Sequence, residues 1–165
     1  MRLVLRQREV SADDWTHFEA DRAPDADADA LIVPLIELRT DEARWQAWPG
    51  RLGVRIQPAD KVESLAGELD RYALIAVEFP TPSEGRGYTQ GRLLRGRLGF
   101  TGELRAVGGA VKRDLIFALA RCGFDAFELA AGEDPAACIA ALGRYSVAYQ
   151  PAVAGSSPQR LRFSV

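Results

Sequence analysis

Short apolar runs alternate with amphipathic stretches along most of this chain, and that alternation limits the possible folds more than any other feature. The runs lie at Leu31–Val33, Leu52–Gln57, Tyr72–Phe79, Glu103–Val107 and Phe124–Leu129. Helical patterns separate them. The clearest is Val111–Cys122, which places Val111, Leu115, Ala118, Leu119 and Cys122 on one stripe. Strands joined through helices, with no hairpin between them, must run parallel with right-handed crossovers. The pattern therefore predicts a single α/β domain with a mainly parallel sheet built from repeated βα units. An open three-layer sandwich is the expected form. A partial βα barrel is the alternative, because eight full units need about 250 residues and the chain has 165.

The core is expected over 31–145, preceded by a strand and acidic loop (1–30) and followed by an extended tail (146–165). Arg2–Val10 alternates and reads as a strand suited to a sheet edge. Ser11-Ala-Asp-Asp-Trp15 suits a turn or helix start, and Asp21–Ala30 is acidic, Pro-containing and loop-like. Within the core, a short helix from Thr40 carries Trp45 and Trp48, and Pro58-Ala-Asp60 opens another through Leu69. Tyr88–Leu98 is helical, with Gly99 where a C-terminal glycine belongs. Gly123 ends the Val111–Cys122 helix in the same way. Asp134-Pro135 starts a last helix to about Leu142.

Composition excludes several classes. The longest apolar runs, Leu31–Ile36 and Ala73–Val77, are far short of the roughly 20 residues of a membrane span, and Arg6 interrupts any signal-like segment. Cys122 and Cys138 form no zinc or iron–sulfur pattern, and His17 is the single histidine, so no metal set is legible. A reducing cytoplasm is the expected location. With a pI near 5.5, no nucleic-acid partner is expected. Residues 1–83 carry ten basic against sixteen acidic side chains, whereas 84–121 carry eight against three. The middle of the chain is thus the stretch that attracts anions.

Parallel sheets collect ligands at the carboxyl ends of their strands, here Pro34, Gln57, Phe79, Val107 and Leu129. Glu84-Gly-Arg-Gly-Tyr-Thr-Gln-Gly91 follows one such end and opens a helix. In that setting backbone N–H groups and the helix dipole hold an anion. The spacing of Gly85, Gly87 and Gly91 is one residue too long for a dinucleotide fingerprint, and no ribose-binding acid follows. No cofactor is assigned; the plainer role of the glycines is a tight turn. Arg86, Gly87, Tyr88, Arg92 and Arg105 are the candidate anion-binding residues, with Glu84, Arg95 and Asp114 in support. Arg92, Arg95 and Arg97 also fit a solvated helix face. Arg105 interrupts an apolar strand, so it ends in a polar site or pairs with a carboxylate such as Glu103. Asp114 complements a helix dipole or orients an arginine. Glu78, next to last in its strand, is the general-base candidate by position. Cys122 and Cys138 read as core thiols, Trp45 and Trp48 as a clamp on the sheet, and His17 has no partner at a useful spacing.

Three segments carry a family resemblance. They are Glu84-Gly-Arg-Gly-Tyr-Thr-Gln-Gly-Arg-Leu-Leu-Arg95, then Gly99-Phe-Thr-Gly-Glu-Leu-Arg-Ala-Val-Gly108 with Arg113-Asp114, and Arg121-Cys-Gly-Phe-Asp-Ala-Phe-Glu128. Together they resemble the bacterial domain-of-unknown-function family 934, often labelled an oxidoreductase or accessory protein of sulfite reduction. Asp13-Asp14-Trp15, Pro34-Leu35 and Gly53-Val54 are similar to its weaker N-terminal positions. Glu84 and Thr89 stand where the family usually has Asp and Ser, and Gly109 where it usually has Asp. The resemblance implies an accessory protein of assimilatory sulfite reduction that binds a small oxyanion or anionic cofactor group at the strand-to-helix loop. The alternative is a non-catalytic docking or assembly partner of sulfite reductase. No catalytic motif is recognisable, and without a cysteine cluster the chain holds no iron–sulfur centre of its own.

Overall fold

The structure, a computed structural model, describes residues 3–6, 8–21 and 28–143. The tail expected over 146–165 and most of the acidic loop lie outside them. Eight strands form one sheet: β1 Leu3–Arg6, β2 Glu9–Ala12, β3 Thr16–His17, β4 Ala30–Pro34, β5 Arg51–Ile56, β6 Leu74–Glu78, β7 Glu103–Val107 and β8 Ala126–Glu128. Their order is β2-β1-β8-β7-β6-β5-β4-β3. From β3 to β8 every neighbouring pair is parallel, as the helix-linked rhythm requires. β1 is antiparallel to both β2 and β8. The single N-terminal strand expected over 2–10 is thus a hairpin, with Arg8 in the left-handed region at its turn (φ 72°) and β2, not β1, at the edge.

The helices are α1 Leu35–Thr40, α2 Glu42–Gln46, α3 Arg86–Arg92, α4 Arg113–Arg121 and α5 Pro135–Leu142. All pack on one face, and this replaces the expected three-layer sandwich with the alternative, a partial barrel. The reason is topological. A doubly wound sandwich needs a reversal in strand order, but β3 to β8 run in chain order without one. Right-handed crossovers then place every helix on the same side.

The bare face curls inward, and the chain's connectivity requires it. β2 and β3 are opposite edges of the sheet, yet only Asp13, Asp14 and Trp15 join them. Four Cα steps reach at most about 15 Å, whereas seven strand spacings in a flat sheet amount to about 34 Å. The result is a curled half-barrel, its open side strapped by residues 13–15.

Strand alternation sorts the side chains. Leu31, Val33, Leu52, Val54, Ile56, Ile75, Val77, Leu104, Ala106 and Phe127 point to the convex face, where the helices bury them in the main core. Ala30, Ile32, Leu74, Ala76 and Val107 point to the concave face and surround Trp15 of the strap. Gly53 belongs to this face too: a Cβ there would lie 3.1 Å from the Trp15 ring.

Three helical stretches differ from expectation. The helix expected from Thr40 is instead α1, which ends there, and α2, which carries Trp45 but stops at Gln46, short of Trp48. The stretch from Pro58 to Leu69 forms only 3-10 turns, at Val62–Leu65 and Leu69–Arg71. Local side-chain bonds compete with a longer helix here: Asp60 accepts the Gln57 N–H at 2.7 Å, and the Ser64 hydroxyl donates to the Lys61 carbonyl. The helix expected over 88–98 starts at Arg86, and its second half widens into a π-turn at Leu93–Arg97. Gly99 (φ +72°) and Gly123 (φ +103°) take the left-handed positions expected of them.

α3 lies very close to the sheet because two of its glycines sit on aromatic rings. A Cβ at Gly87 would come within 2.5 Å of Phe79, and one at Gly91 within 2.5 Å of Phe124. Those two rings pack edge to face at 5.6 Å. Gly87→Ala should therefore destabilise the fold by about 1–3 kcal/mol, read as a lower urea midpoint with unchanged slope. An unchanged midpoint would show that the helix shifts without cost.

Candidate functional site

Charged residues line the concave face, which a short parallel strand would ordinarily leave apolar. Arg105, in the middle of β7, is fully buried. Its register neighbours are Ala76 on β6 and Ala126 on β8, and these small side chains leave room for the guanidinium. Nη1 donates to both oxygens of Asp13 (2.9 and 3.0 Å), and Nε donates to Glu103 Oε1 (2.8 Å). The pairing with Glu103 is one the strand alternation allowed; the bond to Asp13 joins the strap to the middle of the sheet.

The network continues toward the amino ends of the strands. Glu103 Oε2 accepts from Arg6, which also reaches Asp14 and the Ser11 hydroxyl. Asp14 in turn accepts from Arg51, whose guanidinium lies over the Trp15 ring. Burial opposes the charge on Asp14, but its bonds to Arg51 and its own backbone, with Arg6 nearby, hold the carboxyl below its usual range. A cleft of about 450 Å³ opens at this end, lined by Arg6, Asp14, Trp15, Arg51 and Glu103 among others. Its charges already face one another, and the amino end of such a sheet is ordinarily its stabilising end.

The carboxyl ends carry a different set. His17 Nε2 lies 2.8 Å from Glu128 Oε2, although four strands separate β3 from β8. Only the curl of the sheet allows that contact. Donor atoms of Asp13, His17 and Glu128 all lie within 4.8 Å of one another. Glu78 is half-buried at the end of β6, on the concave face as its position in the strand implied. Arg55 of β5, whose register partner is Ala76, lies two residues short of that level on the same face; it is also half-buried, and its Nε is buried without a hydrogen-bond partner among the described residues.

The candidates around residues 84–95 lie elsewhere. Glu84 accepts the Arg86 backbone N–H (3.0 Å) together with its Nε and Nη2 (2.9 and 2.7 Å). The Arg86 side chain and backbone pull the Glu84 carboxyl down to about 2. The start of α3 thus already has a carboxylate, supplied by the chain itself. Gly87 and Tyr88 pack on Phe79, with ring centroids of Tyr88 and Phe79 5.4 Å apart. Burial pushes the Tyr88 phenol up. Arg92 is exposed. Arg95 turns inward and bonds the carbonyls of Phe100, Gly102 and Gly123 and the Asp125 carboxylate. Asp114 is exposed beside Arg113. Glu84 and Arg86 are brought together, and so are Gly87 and Tyr88. Arg105 lies on the opposite face of the sheet from α3, and neither Arg95 nor Asp114 contacts the 84–88 loop.

Sequence reading missed the roles of Asp13, His17, Arg55 and Glu128. Asp13 and Glu128 had a signal, as members of the Asp13-Asp14-Trp15 and Arg121–Glu128 stretches that carry the family resemblance.

A curled α/β half-barrel with a charged concave face is the class that fold and site define. The chain belongs to the family described as "Bacterial protein of unknown function (DUF934)", which matches residues 53–160. No curated protein matches it. No helix among the described residues is long and apolar enough to cross a membrane.

The Asp13–Arg105 pair is the site's most consequential contact. Asp13→Ala should lower stability by about 3–5 kcal/mol, because it leaves a buried guanidinium short of its partner. Adding Arg105→Met should restore most of that loss in urea unfolding. Equal losses in the single and double variants would refute the pairing energy.

Proposed function

We propose that the protein is a cytoplasmic accessory factor of assimilatory sulfite reduction that binds a small oxyanion. The observation that carries the binding reading is Arg55. A half-buried guanidinium near the carboxyl end of a parallel strand, with a buried donor left unsatisfied among the described residues, is costly unless something accepts from it. An oxyanion is suited to that, since charge-assisted bonds to arginine are strong and directional. Glu78, on the neighbouring strand end and the same face, would meet a protonated ligand. The 84–88 loop is the second anion-binding place at this end of the sheet, but an incoming anion would have to displace Glu84. The link to sulfite rests on the family resemblance.

Isothermal calorimetry with sulfite, sulfate and phosphate tests the reading. Arg55→Ala should weaken binding by about 1.5–3 kcal/mol, and Arg86→Ala should weaken it less, because Glu84 already holds that guanidinium. Absence of any oxyanion binding by the wild type would overturn the proposal.

Exposure of Arg92 and Arg97 on one helical segment favours a second reading, docking to sulfite reductase. With Arg95 turned inward, the basic face is narrower than the sequence implies. Arg92→Glu combined with Arg97→Glu should slow association with the reductase, most of all at low salt. Surface plasmon resonance at two salt concentrations measures this, and an unchanged rate would exclude the face.

A further inference from the structure

We propose that Asp13, His17 and Glu128 form a divalent-cation site inside the half-barrel, with Arg105 placed to hold a ligand of the bound ion. The three donors come from the strap, β3 and β8, so the site is a product of the curl and not of a local acidic run. Their donor atoms lie within 4.8 Å of one another, and His17 Nε2 and Glu128 Oε2 are 2.8 Å apart. Bonds of about 2.0–2.2 Å to a first-row ion put adjacent donors roughly 3 Å apart and opposite donors roughly 4.2 Å apart. Small side-chain adjustments therefore complete the set. An imidazole with two carboxylates suits ions such as Zn²⁺, Mn²⁺ or Fe²⁺ more than purely oxygen-seeking Ca²⁺. The side chains of Asp13, His17 and Glu128 are only 3%, 6% and 17% exposed, so little water must be displaced to enclose an ion.

A second observation concerns the guanidinium that holds Asp13. Arg105 is fully buried, yet its Nη2 makes no hydrogen bond among the described residues. Nη2 does lie 2.8 Å from Glu103 Oε1, but that oxygen already accepts the Nε–H and is not aligned for Nη2. The Nη1 of this same guanidinium is on Asp13. A water or oxyanion bound to the ion would supply the acceptor that Nη2 lacks. Arg105 also fixes the Asp13 carboxylate, as outer-shell groups commonly do for metal ligands. Arg6 also lies 3.6 Å from Asp13, and the guanidinium groups of Arg6, Arg51 and Arg105 balance Asp13, Asp14 and Glu103, so an ion here is held by its donor atoms and not by an excess of negative charge. The cation site is separate from the oxyanion reading, and Arg55→Ala should leave it intact.

The competing account is a plain His17–Glu128 contact that pins β3 to β8, and the test separates the two. Because His17 is the single histidine, tag-free full-length protein loaded with Co²⁺ should show one set of hyperfine-shifted imidazole resonances. Calorimetry with Zn²⁺ should give one site per chain, and thermal unfolding should shift upward with added Zn²⁺. His17→Ala and Glu128→Gln should each weaken Zn²⁺ binding roughly 100-fold. The Co²⁺ spectrum of the wild type needs no variant, so loss of folding in the mutants leaves the test intact. Unshifted imidazole resonances with Co²⁺, or Zn²⁺ binding unchanged in both variants, would overturn the proposal.

Discussion

The bond between Asp13 and Arg105 holds the open side of the half-barrel. It joins a three-residue strap to the middle of β7, three places in from the β2 edge and four from the β3 edge. Burial makes the pair consequential. Each charge alone would be strongly disfavoured in the concave interior, so the strap and the sheet become mutually dependent. The other contacts follow from that closure. Trp15 settles over Gly53 and among the concave apolar residues, Asp14 reaches Arg6 and Arg51, and His17 comes within hydrogen-bond distance of Glu128.

One topological fact divides the molecule's two faces. Because six strands follow one another in chain order, the helices share a single side and supply the apolar core there. On the other side no second helical layer competes for space, and short side chains at Ala30, Ala76 and Ala126 let charged neighbours fold inward. On the helical side close approach matters more than charge. Gly87 and Gly91, one helical turn apart, let the α3 backbone rest on Phe79 and Phe124. The glycine-rich stretch is thereby a packing device, and its Glu84–Arg86 pair satisfies the start of the helix internally.

The candidate site was legible only in pieces. Arg105 was visible because a charge in an apolar strand needs a partner, and Glu103, two residues earlier on the same face, was the nearest one. Glu78 was visible by its place at a strand's carboxyl end. Arg55 was not, because Arg51–Ile56 alternates like an ordinary strand with one polar face. His17 and Glu128 are 111 residues apart, and no local spacing connects them. Arg95 shows the opposite error: it reads as one of three surface arginines, yet its side chain ties together the loops before β7 and β8.

The sequence by itself determined the parallel core from β4 to β8, the glycine caps at Gly99 and Gly123, and most helix positions. These depend on periodicity, backbone conformation and capping, which act over a few residues. That the helices lie on one side followed only from the strand order, and the three-layer sandwich the periodicity suggested was overturned by it. Strand order itself, the curl and the concave cluster were decided only by the tertiary structure. The closing strap pairs residues from opposite ends of the chain, and a bond of that kind depends on where the sheet brings its edges, not on the spacing of residues along it.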